Sequence, residues 1–404
     1  MAGTNNQVAE MQGLYGPFTM AERVVQKIWL RGDFDRHRAV LTDGRPLGIR
    51  ASGAWNLLGG PDFRNARLVL DGRELTGDIE VHFHATDWRA HGHEADSAYG
   101  NVALHVVLFH PADGEEPARR ADGRVLPTLV LLPLLHRDLE EYASDDALEV
   151  ITARDEWEHL AELAALPEAE RRTLLLGCAR ERWRQKVHFA RRRIERVGWT
   201  AAAHQTALEI LGYRLNRAAM LTVATIHPLE AWRGEIQLRE IYAHGSPAWE
   251  LHGVRPANHP WVRLQQYQRW TAACPDWPDR VGQLMAAGHV ALPPETPTKP
   301  ARQLLGLRQI RETLAGTLMG HAVGGTRLDN LLADGLLPLL AVATGRDYHD
   351  LWFHWFLGDV PDHVRRALTK LGVVDGRAQP LCHGYAQGLL GWLLAREAAQ
   401  VAVD

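Results

Sequence analysis

GPDFRNARLVLDGRELTGDIEVHFHATDWRAHGH, residues 60–93, is the stretch that decides the fold of the first part of the chain. Polar and apolar side chains alternate strictly over residues 78–84 within it, and this period predicts a half-buried β-strand. Because successive side chains of a strand point to opposite faces, one face carries two carboxylates and two imidazoles, from Asp78, Glu80, His82 and His84. Lysine, threonine or serine is more usual on a plain surface strand, so this face predicts a metal site or a proton-transfer site.

Short strands separated by turns fill the rest of the first 140 residues. Asp43-Gly44 and Asp71-Gly72 are typical hairpin turns between extended segments. A threonine cap at Thr19, with Glu22 three residues later, predicts a first helix over residues 19–31. The predicted strands cover residues 39–42, 46–51, 66–70, 80–83 and 101–110, and residues 125–135 form either another strand or an apolar connection.

The pattern changes at about Leu139, beyond which helical periodicity recurs and no convincing strand is found. We therefore predict an α+β chain, with a mixed α/β domain at residues 1–140 followed by a large all-helical region at residues 141–404. The predicted helices of that region cover residues 156–165, 168–197, 200–212, 215–225, 235–243, 260–272, 277–287, 301–313, 326–343, 347–356, 361–372 and 380–400.

The composition narrows the class of protein. The 404 residues predict two or three domains. A net charge of −4 gives no general basic surface, so a nucleic-acid surface requires local clustering of charge. Cys178, Cys274 and Cys382 are widely spaced and form no CxxC pair, which fits a reducing compartment. We find no signal peptide and no apolar run of about 18 residues, so we expect a cytoplasmic protein without a membrane span.

Acids and histidines concentrate around the alternating strand. Six of the 21 histidines fall between residues 82 and 110. Oxygen ligands suit Mg²⁺ or Mn²⁺, whereas imidazole suits Zn²⁺. Asp62 and Glu80 are therefore candidate metal ligands, and His82, on the same face as Glu80, is a candidate for orienting or deprotonating water. The candidate outer residues of this site are His84, His91, His93 and His105.

The order Pro61-Asp62, a short hairpin and then Glu80-Val81-His82 resembles the PD-(D/E)XK nuclease superfamily. The resemblance covers about residues 15–110 and implies a restriction-endonuclease-like fold. It implies Mg²⁺ or Mn²⁺ bound by Asp62 and Glu80, with Glu22 on the preceding helix as an accessory acid. His82 departs from the pattern, because the superfamily usually has lysine at this position.

Two further resemblances extend this one. The run from His82 through Trp88 to His93 is similar to the strand end of very-short-patch repair endonucleases, which use histidine in catalysis. Nearly the whole chain also resembles a bacterial family known only as a domain of unknown function, which implies no activity. The segments that carry this second resemblance are Gln26–Trp29, Gly59–Phe63, Gly77–His82, Asp87-Trp88, Leu104–Val107, Leu211–Asn216 and Gln387–Leu390.

The predicted helix at residues 168–197 is the one basic feature. It carries ten cationic and four anionic side chains, a net charge of +6. Such a surface would attract a phosphate backbone in a salt-sensitive way, but an ordinary solvated helix with ion pairs one turn apart would look the same. The candidate nucleic-acid-binding residues are Arg180, Arg184, Arg191 and Arg192.

Metal-dependent hydrolysis of DNA or RNA is the function that these patterns favour, and two alternatives stay open. The histidine in place of lysine would suit a non-catalytic nucleic-acid-binding or scaffold protein with a nuclease-like fold. The histidine cluster would suit a zinc-dependent metallohydrolase acting on a small molecule. Purely structural roles also stay open for Asp62 in a Gly-Gly-Pro-Asp turn, for Glu22 in the capping box and for His105 inside an apolar strand.

Overall fold

The computed structural model describes residues 20–56, 59–112, 114–136, 139–149, 156–233, 237–245, 249–251, 254–286, 292–293, 296–360, 362–375 and 377–401. The chain forms two compact units, of which the first covers Met20–Tyr142 and the second begins at Ala143. Thr19, the predicted helix cap, lies outside the described residues. The predicted α+β architecture is confirmed, because a mixed sheet in the first unit is followed by a large helical region.

A six-stranded mixed sheet forms the centre of the first unit. Its strands are β1 (Leu47–Ala51), β2 (Ala54–Trp55), β3 (Phe63–Leu70), β4 (Arg73–His82), β5 (Val102–Val107) and β6 (Thr128–Val130). The strand order is β1-β3-β4-β5-β6, and β2 also pairs with β3. β3 is antiparallel to β1, β2 and β4, whereas β4, β5 and β6 run parallel to one another. β4 therefore lies near the middle of the sheet, paired on both edges.

The predicted strands at 46–51, 66–70 and 101–110 overlap β1, β3 and β5, whereas β4 begins seven residues before the predicted strand at 80–83 and β2 was not predicted. Two further segments differ. Residues 39–42 do not form a strand; Val40 and Leu41 make only isolated bridges, to Pro46 and to Leu129. Residues 125–135 divide between β6 and a single 3₁₀ turn at Leu132–Leu134. Pro133 sits inside that turn and has no N–H to give to a strand ladder, which ends the strand early.

The β3–β4 hairpin turns at Asp71-Gly72, as predicted. Both residues have a positive φ, 51° and 74°, which is the conformation of the two-residue turn that matches the twist of paired strands. β4 begins directly after this turn and runs for ten residues to His82. Glu80 and His82 therefore lie at the C-terminal end of β4, away from the hairpin turn.

A β-bulge in β3 sets which residues face each other at that end. Four residues, Phe63–Ala66, oppose three residues, Gly77–Ile79, so β3 carries one extra residue. Asp78 supports the bulge, because its Oδ1 accepts a hydrogen bond from the Asn65 backbone N–H at 3.0 Å. Continued past Phe63, this register brings Asp62 opposite Glu80, whereas an unbulged strand would have brought Phe63 there.

The connection from β4 to β5 covers the polar face of β4. It contains α2 (Asp87–Ala90) and a 3₁₀ turn at Ser97–Tyr99. Trp88 and Tyr99 are buried on it, and they pack with Val102 at the start of β5. The prediction of a half-buried strand is therefore wrong: Asp78, Glu80 and His82 keep only 9%, 5% and 1% of their surface exposed. Alternation cannot distinguish a face turned to water from a face turned to a polar interior.

The opposite face of the sheet carries the main apolar core of the first unit. α1 (Glu22–Arg31) packs its buried residues, among them Ile28 and Trp29, into the same cluster as Ile79 and Val81 of β4. The helix begins three residues later than predicted, and Ala21 at its N-cap makes no side-chain cap. α1 therefore lies under the sheet with its first turn near the end of β4, where the charges of Asp62 and Glu80 act on the Glu22 carboxyl.

The second unit is helical, and its described residues contain no strand. The predicted helix at 301–313 is broken by Gly306, which has a left-handed φ of 62°. Two π-helical segments, Leu314–Leu318 and Leu331–Leu336, were not predicted. Its helices, with the one that leads into it, are α3 (Leu139–Glu149), α4 (Glu156–Ala165), α5 (Glu168–Val197), α6 (Trp199–Leu211), α7 (Tyr213–Ile226), α8 (Leu229–Trp232), α9 (Leu238–Gly245), α10 (Pro260–Ala273), α11 (Trp277–Ala286), α12 (Thr298–Leu304), α13 (Leu307–Thr313), α14 (Gly325–Asn330), α15 (Leu337–Thr344), α16 (His349–His354), α17 (Asp362–Lys370) and α18 (His383–Val401).

Within the ranges given above, no helix has the length and apolar character needed to cross a bilayer.

Candidate metal centre

Asp62 and Glu80 meet at the end of the β3–β4 pair. The Asp62 backbone N–H donates to Glu80 Oε2 at 3.1 Å, and the Val81 backbone N–H donates to Asp62 Oδ2 at 2.9 Å. Each carboxylate is thus held by the strand that carries the other. The sequence makes both residues candidates, and the structure brings them together.

Gln26 on α1 makes a further hydrogen bond to the Asp62 carboxylate. Its Nε2 donates to Asp62 Oδ1 at 2.7 Å, and its Oε1 accepts the Trp55 Nε1–H at 3.3 Å. Both Asp62 oxygens therefore accept a hydrogen bond. Sequence reasoning gave Gln26 no role at the site; the available signal was its position one helical turn after Glu22, on the same face of α1.

Three histidines gather beside Glu80. His82 Nε2 lies 3.2 Å from His91 Nδ1 and 3.4 Å from Glu80 Oε1. His93 Nε2 lies 3.2 Å from the same Glu80 oxygen. One ring nitrogen from each of the three histidines falls within 4.8 Å of the others, a spacing that a single metal ion could bridge. The connection between β4 and β5 thus folds back so that His91 and His93 contact residues of β4.

The fourth histidine of the group lies behind His82. His105 on β5 is fully buried, and its Nε2 lies 2.9 Å from His82 Nδ1. Glu80 pairs with His105 in the parallel register of β4 and β5, so neighbouring strands bring both imidazoles to one layer. His105 therefore orients the ring of His82 from the side away from His91.

An aromatic wall fixes His93. Its ring stacks on Tyr99 with centroids 3.8 Å apart, and Trp88 meets it edge-on at 5.3 Å. Trp88 is anchored in turn, because its Nε1–H donates to the Arg119 carbonyl at 2.8 Å. The wall leaves the His93 ring little freedom to rotate away from Glu80.

Burial and mutual repulsion shape the protonation of the acids. Burial raises the pKa of Glu80, and burial together with the neighbouring Glu80 charge raises the pKa of Asp62. Burial, reinforced by the charges of Asp62, Asp87 and Glu80, raises the pKa of Glu22 to about 8. Each of these three carboxyls is harder to ionise because it is buried or lies near another acid. A bound cation would stabilise their ionised forms.

The pKa values of the buried imidazoles are lowered, whereas those of the acids are raised. Burial and the neighbouring histidines lower the pKa of His82 to about 2 and that of His105 to about 3. Both rings are therefore neutral at physiological pH, which is the form that ligates metal ions.

A family model described as a protein of unknown function, DUF2851, matches residues 22–243, more than half of the chain. The chain belongs to the DUF2851 family. No curated protein and no solved structure matches it. The family match begins at Glu22 and contains every residue of the site above, together with the whole of α5.

Glu22 lies with the acids of this family member's site, while Thr19, its partner in the predicted capping box, lies outside the described residues. The charges of Asp62, Asp87 and Glu80 help to raise the pKa of the Glu22 carboxyl, so it lies close enough to all three to feel their charge. Glu22 is thus the third carboxyl of the same cluster, beside Asp62 and Glu80.

His84 is not brought into the cluster. It is exposed, and its ring stacks on Phe109 with centroids 5.0 Å apart. β4 ends at His82, and the Asp87 carboxylate caps the His84 backbone N–H at 2.8 Å, which turns the chain away from the strand. The alternation that placed His84 on the site face therefore stops two residues too early for it.

The basic helix α5 uses much of its charge within the second unit. Arg193 is fully buried and pairs with Glu209 at 2.7 Å, and Lys186 pairs with Asp334 at 3.1 Å. Of the four candidate nucleic-acid contacts, three are exposed but face an acid. Arg180 lies 3.1 Å from Asp347, Arg184 lies 3.0 Å from Glu181, and Arg192 lies 3.9 Å from Glu195, while Arg191 is exposed.

Proposed function

We propose that the first unit hydrolyses phosphodiester bonds of DNA or RNA with the help of a divalent cation. The observation that carries the proposal is the meeting of Asp62 and Glu80, fixed by reciprocal backbone hydrogen bonds, beside a cluster of three histidines. Acids that hold a metal ion and a neighbouring group that orients water are what this chemistry requires.

The arrangement of elements supports the resemblance to PD-(D/E)XK nucleases. A helix that begins with an acid, Glu22, precedes a β-hairpin, and of the two acids of the pattern Asp62 directly precedes its first strand and Glu80 lies on its second. A parallel strand, β5, then joins the sheet next to β4. On this proposal the nuclease-like domain covers residues 1–140 and the helical domain residues 141–404.

Each residue then has a role of its own. Glu80 would hold the cation through the oxygen that faces the histidines, and a bound Mg²⁺ or Mn²⁺, or alternatively Zn²⁺, would supply Lewis acidity and an activated water. Asp62, whose pKa burial and Glu80 raise toward neutrality, would accept the proton of that water. Glu22, which feels the charges of Asp62 and Glu80, would accept the proton from Asp62 next.

His82 suits a role as a ligand or an orienting group better than a role as a base. A ring whose burial lowers its pKa to about 2 does not take up a proton at neutral pH. The position that usually holds lysine in the superfamily would here hold neutral imidazole, and the developing negative charge would be met by the cation.

A nucleic-acid partner is part of the proposal. The exposed arginines of α5 would attract phosphates, and their partner acids lie at the surface, where ion pairs contribute little and exchange readily. Binding through them would weaken as the salt concentration rises. A cytoplasmic location remains a prediction.

The test is cleavage of mixed DNA and RNA substrates with Mg²⁺, Mn²⁺ or Zn²⁺, for the wild type and for Asp62→Asn and Glu80→Gln. His84→Ala is the matched control, because this histidine follows the same strand but lies outside the cluster. We expect cleavage by the wild type and by His84→Ala only. Cleavage by all four proteins would sink the proposal.

A small-molecule metallohydrolase is the second candidate, and one observation favours it. A groove of about 260 Å³ lies beside α2 and is lined by Trp88, Arg89, Glu94, Glu115 and Glu116, among others. Its lining has three carboxylates and one guanidinium, which disfavours a polyanion. Tightly bound zinc, with hydrolysis of small esters or amides that does not depend on salt, would favour this function over the nuclease.

A non-catalytic nucleic-acid-binding protein is the third candidate, favoured by the neutral His82 in place of lysine. Its signature would be salt-sensitive binding of DNA or RNA that survives both EDTA and Asp62→Asn, with no cleavage under any metal.

A further inference from the structure

We infer that Glu80, His82, His91 and His93 form a tetrahedral centre for a zinc-class divalent ion. The inference deepens the proposed function by naming the ion and its ligands, and it replaces the pair Asp62 and Glu80 as the ligand set. Metal binding and hydrolysis can be measured separately, so the inference and the proposed function can fail separately.

Three of the six separations between the four donor atoms already match a tetrahedron. Bonds of about 2.0–2.1 Å from Zn²⁺ to nitrogen or oxygen place neighbouring ligand atoms about 3.3 Å apart. The three separations through this set are 3.2 Å for His82–His91, 3.4 Å for His82–Glu80 and 3.2 Å for His93–Glu80. The ring nitrogens of the three histidines all lie within 4.8 Å of one another, so one ion among these atoms would reach all four after small shifts of the rings.

One donor atom has no other use. His93 Nε2 is buried and makes no hydrogen bond with any described residue, although Glu80 Oε1 is only 3.2 Å away. The stacking on Tyr99 holds the ring in this orientation. A buried polar atom without a partner is costly, and an ion between His93 and Glu80 would satisfy both.

The chemistry of the set selects the ion. Three imidazoles and one carboxylate suit Zn²⁺ and its neighbours in the first transition row, whereas Mg²⁺ demands six oxygens in an octahedron. Asp62 stays outside the set, because Gln26 and the Val81 N–H each hold one of its oxygens. Asp62 therefore lies beside the centre and is available to accept the proton of an activated water.

The surroundings orient the ligands as metal sites require. A histidine that binds metal through Nε2 carries its proton on Nδ1 and donates it to a neighbour. His82 Nδ1 lies 2.9 Å from His105 Nε2, so this neighbour is in place. His91 is exposed, whereas His93 is half-buried and Glu80 and His82 are buried, so His91 is the position that water or substrate would displace.

Binding of Zn²⁺ and Co²⁺ to the metal-free full-length protein, followed by competition titration and by the Co²⁺ visible spectrum, tests the inference. We expect one ion per chain, an intense tetrahedral Co²⁺ spectrum, and no displacement by excess Mg²⁺. Affinity should fall about 100-fold or more in His93→Ala and less in His91→Ala. His84→Ala should bind as the wild type does.

The outcomes separate the two proposals. A six-coordinate Co²⁺ spectrum, Mg²⁺ binding as tight as that of Zn²⁺, or equal losses in His84→Ala and His93→Ala would overturn the inference. His91→Ala removes an exposed side chain, so it reports on binding even if His93→Ala does not fold. Tight tetrahedral binding without any nucleic-acid cleavage would leave the centre standing and sink only the nuclease.

Discussion

Glu80 Oε2 accepts the backbone N–H of Asp62 at 3.1 Å, while Glu80 Oε1 faces His93 Nε2 at 3.2 Å. One carboxylate therefore joins the hairpin acid to the histidine cluster. The bulge in β3 is the cause, because one extra residue moves Asp62, instead of Phe63, opposite Glu80. Acid pair and imidazole cluster thus form one site rather than two.

Glu80→Gln should stabilise the metal-free protein while it abolishes tight metal binding. The wild-type carboxyl is buried and its pKa is raised, so its ionisation at pH 8 opposes folding. The amide removes that charge, and we expect a thermal midpoint a few degrees higher at pH 8 in EDTA. With saturating Zn²⁺ the order should reverse, because ligand binding stabilises only the wild type. A wild type that is more stable than Glu80→Gln in EDTA would contradict this.

Glu22→Gln should flatten the pH dependence of stability in the absence of metal. The pKa of Glu22 is about 8 in the folded protein, against an ordinary value of 4.5. Stability contributed by the protonated form is therefore complete below about pH 4.5 and is lost as the pH rises toward 8. Wild type and Glu22→Gln should unfold alike at pH 5, whereas at pH 8.5 the variant should unfold about 5 °C higher. Glu74→Gln, at an exposed strand position, is the control and should leave the pH profile unchanged.

His105 should act as a positioning residue for His82. His105→Leu removes the partner of His82 Nδ1, and we expect Zn²⁺ affinity to fall about 10–100-fold. His105→Gln keeps a hydrogen-bonding group near the same place and should recover most of that affinity. Competition titration with a chromophoric chelator measures both. Equal affinities in the two variants would show that His105 only fills space.

Glu209→Gln should destabilise the second unit strongly. Glu209 is 2% exposed and pairs with Arg193 at 2.7 Å and with Arg217 at 3.3 Å. Removing one side of a buried ion pair leaves the other charge uncompensated and costs about 3–5 kcal/mol. Arg184→Ala breaks an exposed pair on α5, the helix that carries Arg193, and should change the free energy of unfolding little. Denaturant unfolding distinguishes the two, and similar losses would contradict a structural role for the buried charge of α5.

The sequence predicted the elements well, because their signals are local. Asp71-Gly72 marks the hairpin, and helical periodicity marks α5 at its observed bounds, Glu168–Val197. What it missed depends on contacts between distant residues. The bulge at Asn65 has no local signal, since Asp78, thirteen residues away, supports it.

The candidate site shows the same division. Alternation predicted a shared face for Glu80 and His82, but His84 was lost because the strand ends before it. His91 and His93 looked like loop residues until the crossover folded back over β4. The basic helix looked like a nucleic-acid surface because the acids that pair with Lys186 and Arg193 lie elsewhere in the chain.

Cleavage by the wild type and by Glu80→Gln, under single-turnover conditions with labelled DNA and RNA and with Mg²⁺, Mn²⁺ or Zn²⁺, tests the central claim most directly. The account predicts product from the wild type that EDTA prevents, and a rate at least about 100-fold lower for a folded Glu80→Gln. Equal rates for the two proteins, or no cleavage by a wild type that has bound its metal, would contradict it.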